Sequence, residues 1–244
     1  MKGKKEIGLM AFLLGAAVLC LPFLGCAIRQ EALVELDGSG SVRFHIEVEP
    51  FFLETMLEMA EFSGESMEEG VLFDLDKIRE DFRKKPTVEL VALASPAPEI
   101  LDGEFRFQDV EEVFRGEAEL TESGVVTFSR SDKESAIRFY LDRENFVQVS
   151  SFLTFLENPF FAMFSPTENE GTTEEEYLEM MEFVFGEEGP PAIRESTIQV
   201  RVEVKGRILS QSGGRIIGRS VVYDIPLLDV LLLAEPLEYT LSFR

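Results

Sequence analysis

Residues 31–49 read EALVELDGSGSVRFHIEVE, and the reading of this stretch decides the fold. Ala32, Val34 and Leu36 alternate with polar neighbours. Asp37-Gly38-Ser39-Gly40 supplies turn residues, and Val42, Phe44, Ile46 and Val48 then alternate with Arg43, His45, Glu47 and Glu49. Successive side chains of a strand point to opposite faces, so alternation on both sides of a Gly-rich turn predicts a β-hairpin with one apolar face.

Working outward, the period changes from two to 3.6. Pro50 opens a predicted helix over 51–62, with Leu53, Met56, Leu57 and Ala60 on one face and Glu54, Glu58 and Glu61 on the other. Asp74 is placed to cap a second helix that buries Leu75, Ile78 and Phe82. Lys84 and Lys85 near its end suit the dipole, and Pro86 stops it. Strands are predicted at 88–94, 104–107, 125–129 and 135–141, with a short helical turn from Asp109 carrying Val110, Val113 and Phe114. Thr173-Glu174-Glu175-Glu176 reads as a capping box. The helix it starts turns Tyr177, Met180, Met181, Val184 and Phe185 inward. Gly189-Pro190-Pro191 reads as a linker. Ile198, Val200, Val202 and Val204 alternate in a strand, Ser212-Gly213-Gly214 turns the chain into another over 215–223, and 226–233 is an apolar crossover. Leu237, Tyr239, Leu241 and Phe243 mark the last strand. Together these elements predict an α+β fold: an antiparallel, hairpin-rich sheet with amphipathic helices packed on one face.

Upstream of the hairpin stands a different kind of segment. Lys2, Lys4 and Lys5 precede an apolar run ending Leu21-Pro22-Phe23-Leu24-Gly25-Cys26. A basic start, a short apolar core and a small residue before the cut make a secretory signal. Leu24-Gly25-Cys26 resembles the cleavage box of bacterial lipoproteins, although Phe23 replaces the usual Leu and Leu24 is bulkier than the usual Ala or Ser. The resemblance implies a signal at 1–25, acylation of Cys26, a lipidated tether at 26–30, and a domain over 31–244 in the cell envelope, facing the periplasm or the surface. Bacterial lipoproteins carry more than one acyl chain, which stable anchoring needs. The alternative is an uncleaved N-terminal membrane anchor.

The formal net charge is −23 over 244 residues. Lys2, Lys4, Lys5 and Glu6 carry +2 of it, leaving −25 beyond the signal. Such a field repels phosphate backbones, which argues against a nucleic-acid partner. Cys20 and Cys26 are the only cysteines, so the domain is expected to have no disulfide. With 22 Phe and no Trp, phenylalanine is expected to fill the core.

The chemistry-bearing residues are few. His45 is the one histidine and lies on the polar face of its strand. A catalytic triad or a zinc site would need further partners for it. The acidic stretch Glu168, Glu170, Glu174, Glu175 and Glu176 lacks the alternate-oxygen loop of a calcium site and reads as a solvated face. The expected role is non-enzymatic, a binding or structural one in the cell envelope, with a lipid-binding or transfer module as the alternative and an envelope hydrolase the least supported; no metal or cofactor is expected. The Phe-rich insertion over 145–186 is open to two readings. It packs as core, or Phe152, Phe155, Phe160, Phe161 and Phe164 line a pocket for a lipid or other apolar ligand.

Several segments together resemble the DUF3153, or LppM-like, lipoprotein family. These are Cys26 followed by Asp37-Gly38-Ser39-Gly40; the run 88–107 leading into Asp109-Val110; and the run 200–206 with Gly213-Gly214, Ile225-Pro226-Leu227 and the closing 239–243 strand. Phe243 stands near the place where members of that family carry a Trp-containing strand. The resemblance implies a membrane-tethered α+β domain outside the cytoplasm, without established enzyme activity, for which a lipid or amphiphile is a plausible ligand.

Overall fold

The structure, a computed structural model, describes residues 26–63, 73–116, 122–150 and 162–244. The hairpin forms as β1 (Cys26–Val34) and β2 (Gly40–Val48), with Val34 opposite Gly40 and Cys26 opposite Val48. Val42, Phe44, Ile46 and Val48 are buried on the inner face, while Arg43 and Glu47 stay exposed on the outer one. Leu36 does not join this pattern and is 72% exposed. The strand ends two residues earlier, where Glu35 N–H donates to Ser39 O at 2.8 Å and the turn lifts Leu36 away from the sheet. Gly38, at φ 91°, supplies the left-handed backbone this turn needs.

Residues 26–30 are not a tether. They form the first half of β1, because the inward pattern begins before Glu31: Ile28 and Gln30 are both buried. The sheet is also not purely antiparallel. β1 pairs in parallel with β7 (Thr197–Val204), Ile28 opposite Ile198 and Val34 opposite Val204. A parallel pair needs a long crossover, and about two thirds of the chain, residues 35–196, lies inside this one. With β3 (Val88–Ala94), β4 (Ile100–Phe107), β9 (Arg215–Ile217) and β10 (Ser220–Pro226), the order is β3-β4-β2-β1-β7-β10-β9. β4 runs through Asp102-Gly103 rather than starting after it. The ring of Phe44, Gly103's cross-strand partner, occupies the space where a Cβ would stand, so glycine is well packed in mid-strand.

A second, antiparallel sheet has the order β5-β6-β11-β8, formed by β5 (Val126–Arg130), β6 (Ser135–Leu141), β8 (Ile208–Ser212) and β11 (Leu237–Phe243). The turn at Gly213-Gly214 is the corner between the sheets: β8 ends in one and β9 begins in the other. The expected single strand over 215–223 is two strands, broken where Gly218 takes φ 63°.

Helices cover the inner face of the large sheet. α1 (Pro50–Ser63) brings Phe52 within 5.1 Å of Phe185. α2 (Leu75–Arg83) is capped by Asp74, which accepts from Lys77 N–H at 2.9 Å, and sets Phe82 5.6 Å from Phe105 of β4. α3 (Val110–Gly116) starts where Val110 N–H donates to Gly38 O, and stacks Phe114 on Phe128 of β5. α4 (Arg143–Ser150) follows β6 and buries Phe146. α5 (Glu174–Phe185) carries the full capping box at Thr173 and buries Tyr177, Leu178, Met181 and Phe185. The expected linker 189–191 instead opens α6 (Gly189–Glu195). Proline fits the first helical turn, and Gly189 is buried close against Met181 O, where a side chain would crowd the backbone. The apolar crossover is α7 (Leu227–Leu232), buried along nearly its whole length.

Gly103→Ala is expected to destabilise the fold by about 1–3 kcal/mol in urea unfolding, through overpacking against Phe44. In a Phe44→Leu background the same change is expected to cost clearly less, because the two sites share one space. Equal costs in both backgrounds would show that Phe44 is not the neighbour that matters.

Candidate binding cleft between the sheets

Side chains of the two sheets border an apolar cavity of about 120 Å³. Ala32 and Val34 of β1, Val200 and Val202 of β7, Ile137 and Phe139 of β6, and Leu241 of β11 line its two walls. Val110 and Phe114 of α3 lie along it as well. The space has a local cause. Ala32 pairs with Val202 across β1 and β7, so two small side chains stand side by side on this wall, and the aromatic rings facing them, Phe139 and Tyr239, leave space above the pair.

Polar groups at the cavity are few and mostly engaged. Gln30 is buried on the same face of β1. Tyr223 O–H donates to Thr240 O at 2.7 Å, bridging β10 to β11 across the corner, and the Tyr223 ring meets Tyr239 edge-on at 5.5 Å. Burial pushes the Tyr223 phenol up to about 12. Tyr239 is raised by burial first and by the Asp229 carboxylate among lesser causes. Tyr177, which lies outside the cavity, is raised well beyond the usual tyrosine range by burial alone. Its hydroxyl donates to Phe164 O at 3.2 Å. An apolar space of this size, with its polar atoms already paired, stays dry and favours hydrocarbon.

Of the phenylalanines expected to line a pocket, Phe164 is the one among the described residues, and it does not line this cavity. Phe164 is 2% exposed and packs its ring 5.7 Å from Phe185, as part of the helical core. Phe152, Phe155, Phe160 and Phe161 lie outside the described residues. Cys26, the expected acylation site, heads β1 directly opposite Val48.

His45 has partners that alternation alone could not reveal. On the outer face of the large sheet its Nδ1 lies 2.7 Å from Asp102 Oδ1, and its Nε2 lies 3.5 Å from Glu47 Oε2. Asp102 comes from β4, the neighbouring strand. No group of three or more His, Cys, Asp and Glu stands ready for a metal among the described residues. Three of the five residues of the acidic stretch are engaged in local structure. Glu176 closes the capping box and is lowered by its hydrogen bonds to Thr173, Glu174 lies 3.3 Å from Arg194, and Glu170 lies 3.8 Å from Arg143. None of the described helices is long and apolar enough to cross a membrane.

No known family profile matches the chain, and no curated protein sequence does. Among solved structures, the chain is similar to the folded domain of the Mycobacterium tuberculosis LppM protein, determined by NMR. The TM-score is 0.42 and the identity 9%, over 90% of each chain.

All four tyrosines of the chain are raised; at Tyr140 the first cause is its hydrogen bond to Asp142. At pH about 10, where tyrosine is ordinarily half ionised, the folded chain is therefore expected to show less phenolate absorbance than the unfolded chain. A phenol raised in the folded state favours folding below its unfolded pKa. For Tyr223 that contribution fades as pH climbs from about 10 to about 12. Tyr223→Phe is expected to cost about 1 kcal/mol near neutrality from the lost hydrogen bond, and to shallow the alkaline decline. An unchanged alkaline slope would contradict the assignment.

Proposed function

We propose that the chain is a lipoprotein of a bacterial cell envelope, anchored by acyl groups on Cys26, whose domain takes an apolar ligand into the cleft between its sheets without transforming it. The observation that carries this reading is the apolar cavity walled by Ala32, Val200, Val202, Ile137 and Phe139. Its volume is near the roughly 150 Å³ of an engineered hydrocarbon cavity that admits a benzene ring. That volume suits a single small hydrocarbon group, such as one ring or the end of an acyl chain. A net charge of −23 disfavours an anionic head group and leaves neutral or cationic amphiphiles as the class. The ligand site is formed by strands of both sheets, and Phe164 is not among its lining residues.

The anchor and the cleft share one strand. Ala32 is six positions along the strand from Cys26, which at roughly 3.3 Å per residue sets it about 20 Å from the attachment point. A ligand drawn from the bilayer would have to leave it to reach the cavity, which suits carriage better than passive insertion. The reading includes no catalytic step. His45 sits on the opposite face of the sheet from the cavity, held by Asp102 and Glu47.

A fluorescent monoacylglycerol tests the cleft. Saturable binding to the wild-type chain is expected, weakened about tenfold or more by Ala32→Phe or Val202→Phe, each of which fills the void. Binding that survives both substitutions, or is missing in the wild type, would sink the proposal. The anchor is tested separately by the mass of the chain recovered from membranes, expected to begin at an acylated Cys26. Recovery of an intact Met1 would remove it.

A further inference from the structure

β3 is an edge of the large sheet, paired with β4 on one side only among the described residues. Its sequence, Val-Glu-Leu-Val-Ala-Leu-Ala, contains one charge and no proline. Edges of this kind are normally blunted with lysine, proline or a bulge, because their open N–H and C=O groups accept another strand. Here one bulge falls between Leu90 and Ala92 and leaves Val91 43% exposed. It divides the strand into two regular runs, Val88–Leu90 and Ala92–Ala94, of which the first follows directly on the basic residues of α2 and the turn after it.

Beside that edge runs a groove of about 460 Å³ between α2 and β3. Phe82, Val88 and Leu90 give it an apolar floor, and Arg79, Arg83 and Lys85 give it a basic rim. Glu89 is the one carboxylate among its lining residues. The charge is out of character for the molecule. Residues 77–85 hold five of the chain's 23 basic residues against two acids, in a protein at −23. Arg79 is spent partly on Asp76 at 3.0 Å, while Arg83 is exposed and has no ion-pair partner among the described residues.

We propose that the β3 edge is a docking site for an extended acidic segment of a partner protein, added as an eighth strand beside Val88–Leu90. Main-chain hydrogen bonds to the edge would supply affinity, and the alternate side chains would supply selectivity. Apolar residues of the segment lie in the groove on Val88 and Leu90, and carboxylates meet Arg83 and Arg79. This site is independent of the cleft between the sheets and does not rest on its having a ligand.

The probe is a labelled eight-residue peptide alternating valine and glutamate, titrated against the full chain by fluorescence anisotropy, with a valine–lysine peptide beside it. The acidic peptide is expected to bind about tenfold or more tightly than the basic one and to lose affinity as salt is raised. Amide hydrogen exchange should slow within 88–94 and not at β9, the opposite edge. Arg83→Glu with Lys85→Glu is expected to abolish the preference. Equal binding of the two peptides, absence of binding, or protection away from β3 would overturn the proposal. So would sedimentation showing that the chain pairs with its own copy through β3, since the occupant would then be a second molecule. The two-peptide comparison on the wild-type chain decides the question even where the double variant fails to fold.

Discussion

The parallel ladder between β1 and β7, from Ile28 opposite Ile198 to Val34 opposite Val204, holds the rest of the structure together. One side of it carries the early chain: β2, β4 and β3. The other carries the late chain, β10 and β9, and through the glycine corner the second sheet. Beyond this ladder, the early and late parts of the chain are joined by the β6–β11 ladder and by the side chains of both sheets around the cleft. The pairing joins residues about 170 positions apart, so its closure entropy falls late and heavily on folding. What offsets that cost is burial: Ile28, Val34, Ile198 and Val204 are each at most 4% exposed.

Local features of this arrangement were legible in the sequence because they are written at short range. Alternation located both strands of the first hairpin, and the Asp74 and Thr173 caps marked helix starts that the structure keeps to the residue. Partition of strands between sheets was not legible. Ser212-Gly213-Gly214 reads as a hairpin turn, yet its two arms belong to different sheets, since nothing local distinguishes a turn within a sheet from a corner between two. The linker reading of 189–191 failed because Pro190 is as much at home in a first helical turn as in a loop. The parallel pairing of β1 with β7 leaves no short-range trace at all.

The cleft was illegible for a related reason. Its walls are single alanines, valines and aromatics from strands dispersed along the chain, each of which reads as ordinary inward-facing core. A density of phenylalanine, as over 145–164, marks what fills space, and Phe146 and Phe164 fill the core. A cavity arises where side chains are too small for the distance between layers, as at Ala32 and Val202. That depends on the separation of the sheets, which composition does not record. The pairing of His45 with Asp102 was hidden similarly, because it needs the register of β2 on β4.

β1 begins at Cys26 with no intervening slack, and it is an interior strand bonded to a neighbour on each side. A pull applied at that residue runs along the strand axis. It loads the ladders to β2 and β7 in shear, so many hydrogen bonds must yield at once instead of peeling one by one. An edge strand at the same position would unzip under far less force. A domain attached by the head of β1 would therefore be mechanically stiff at its point of attachment, and the same lack of slack would limit its swivel. Tension and orientation would both pass straight into the sheet that walls the cleft.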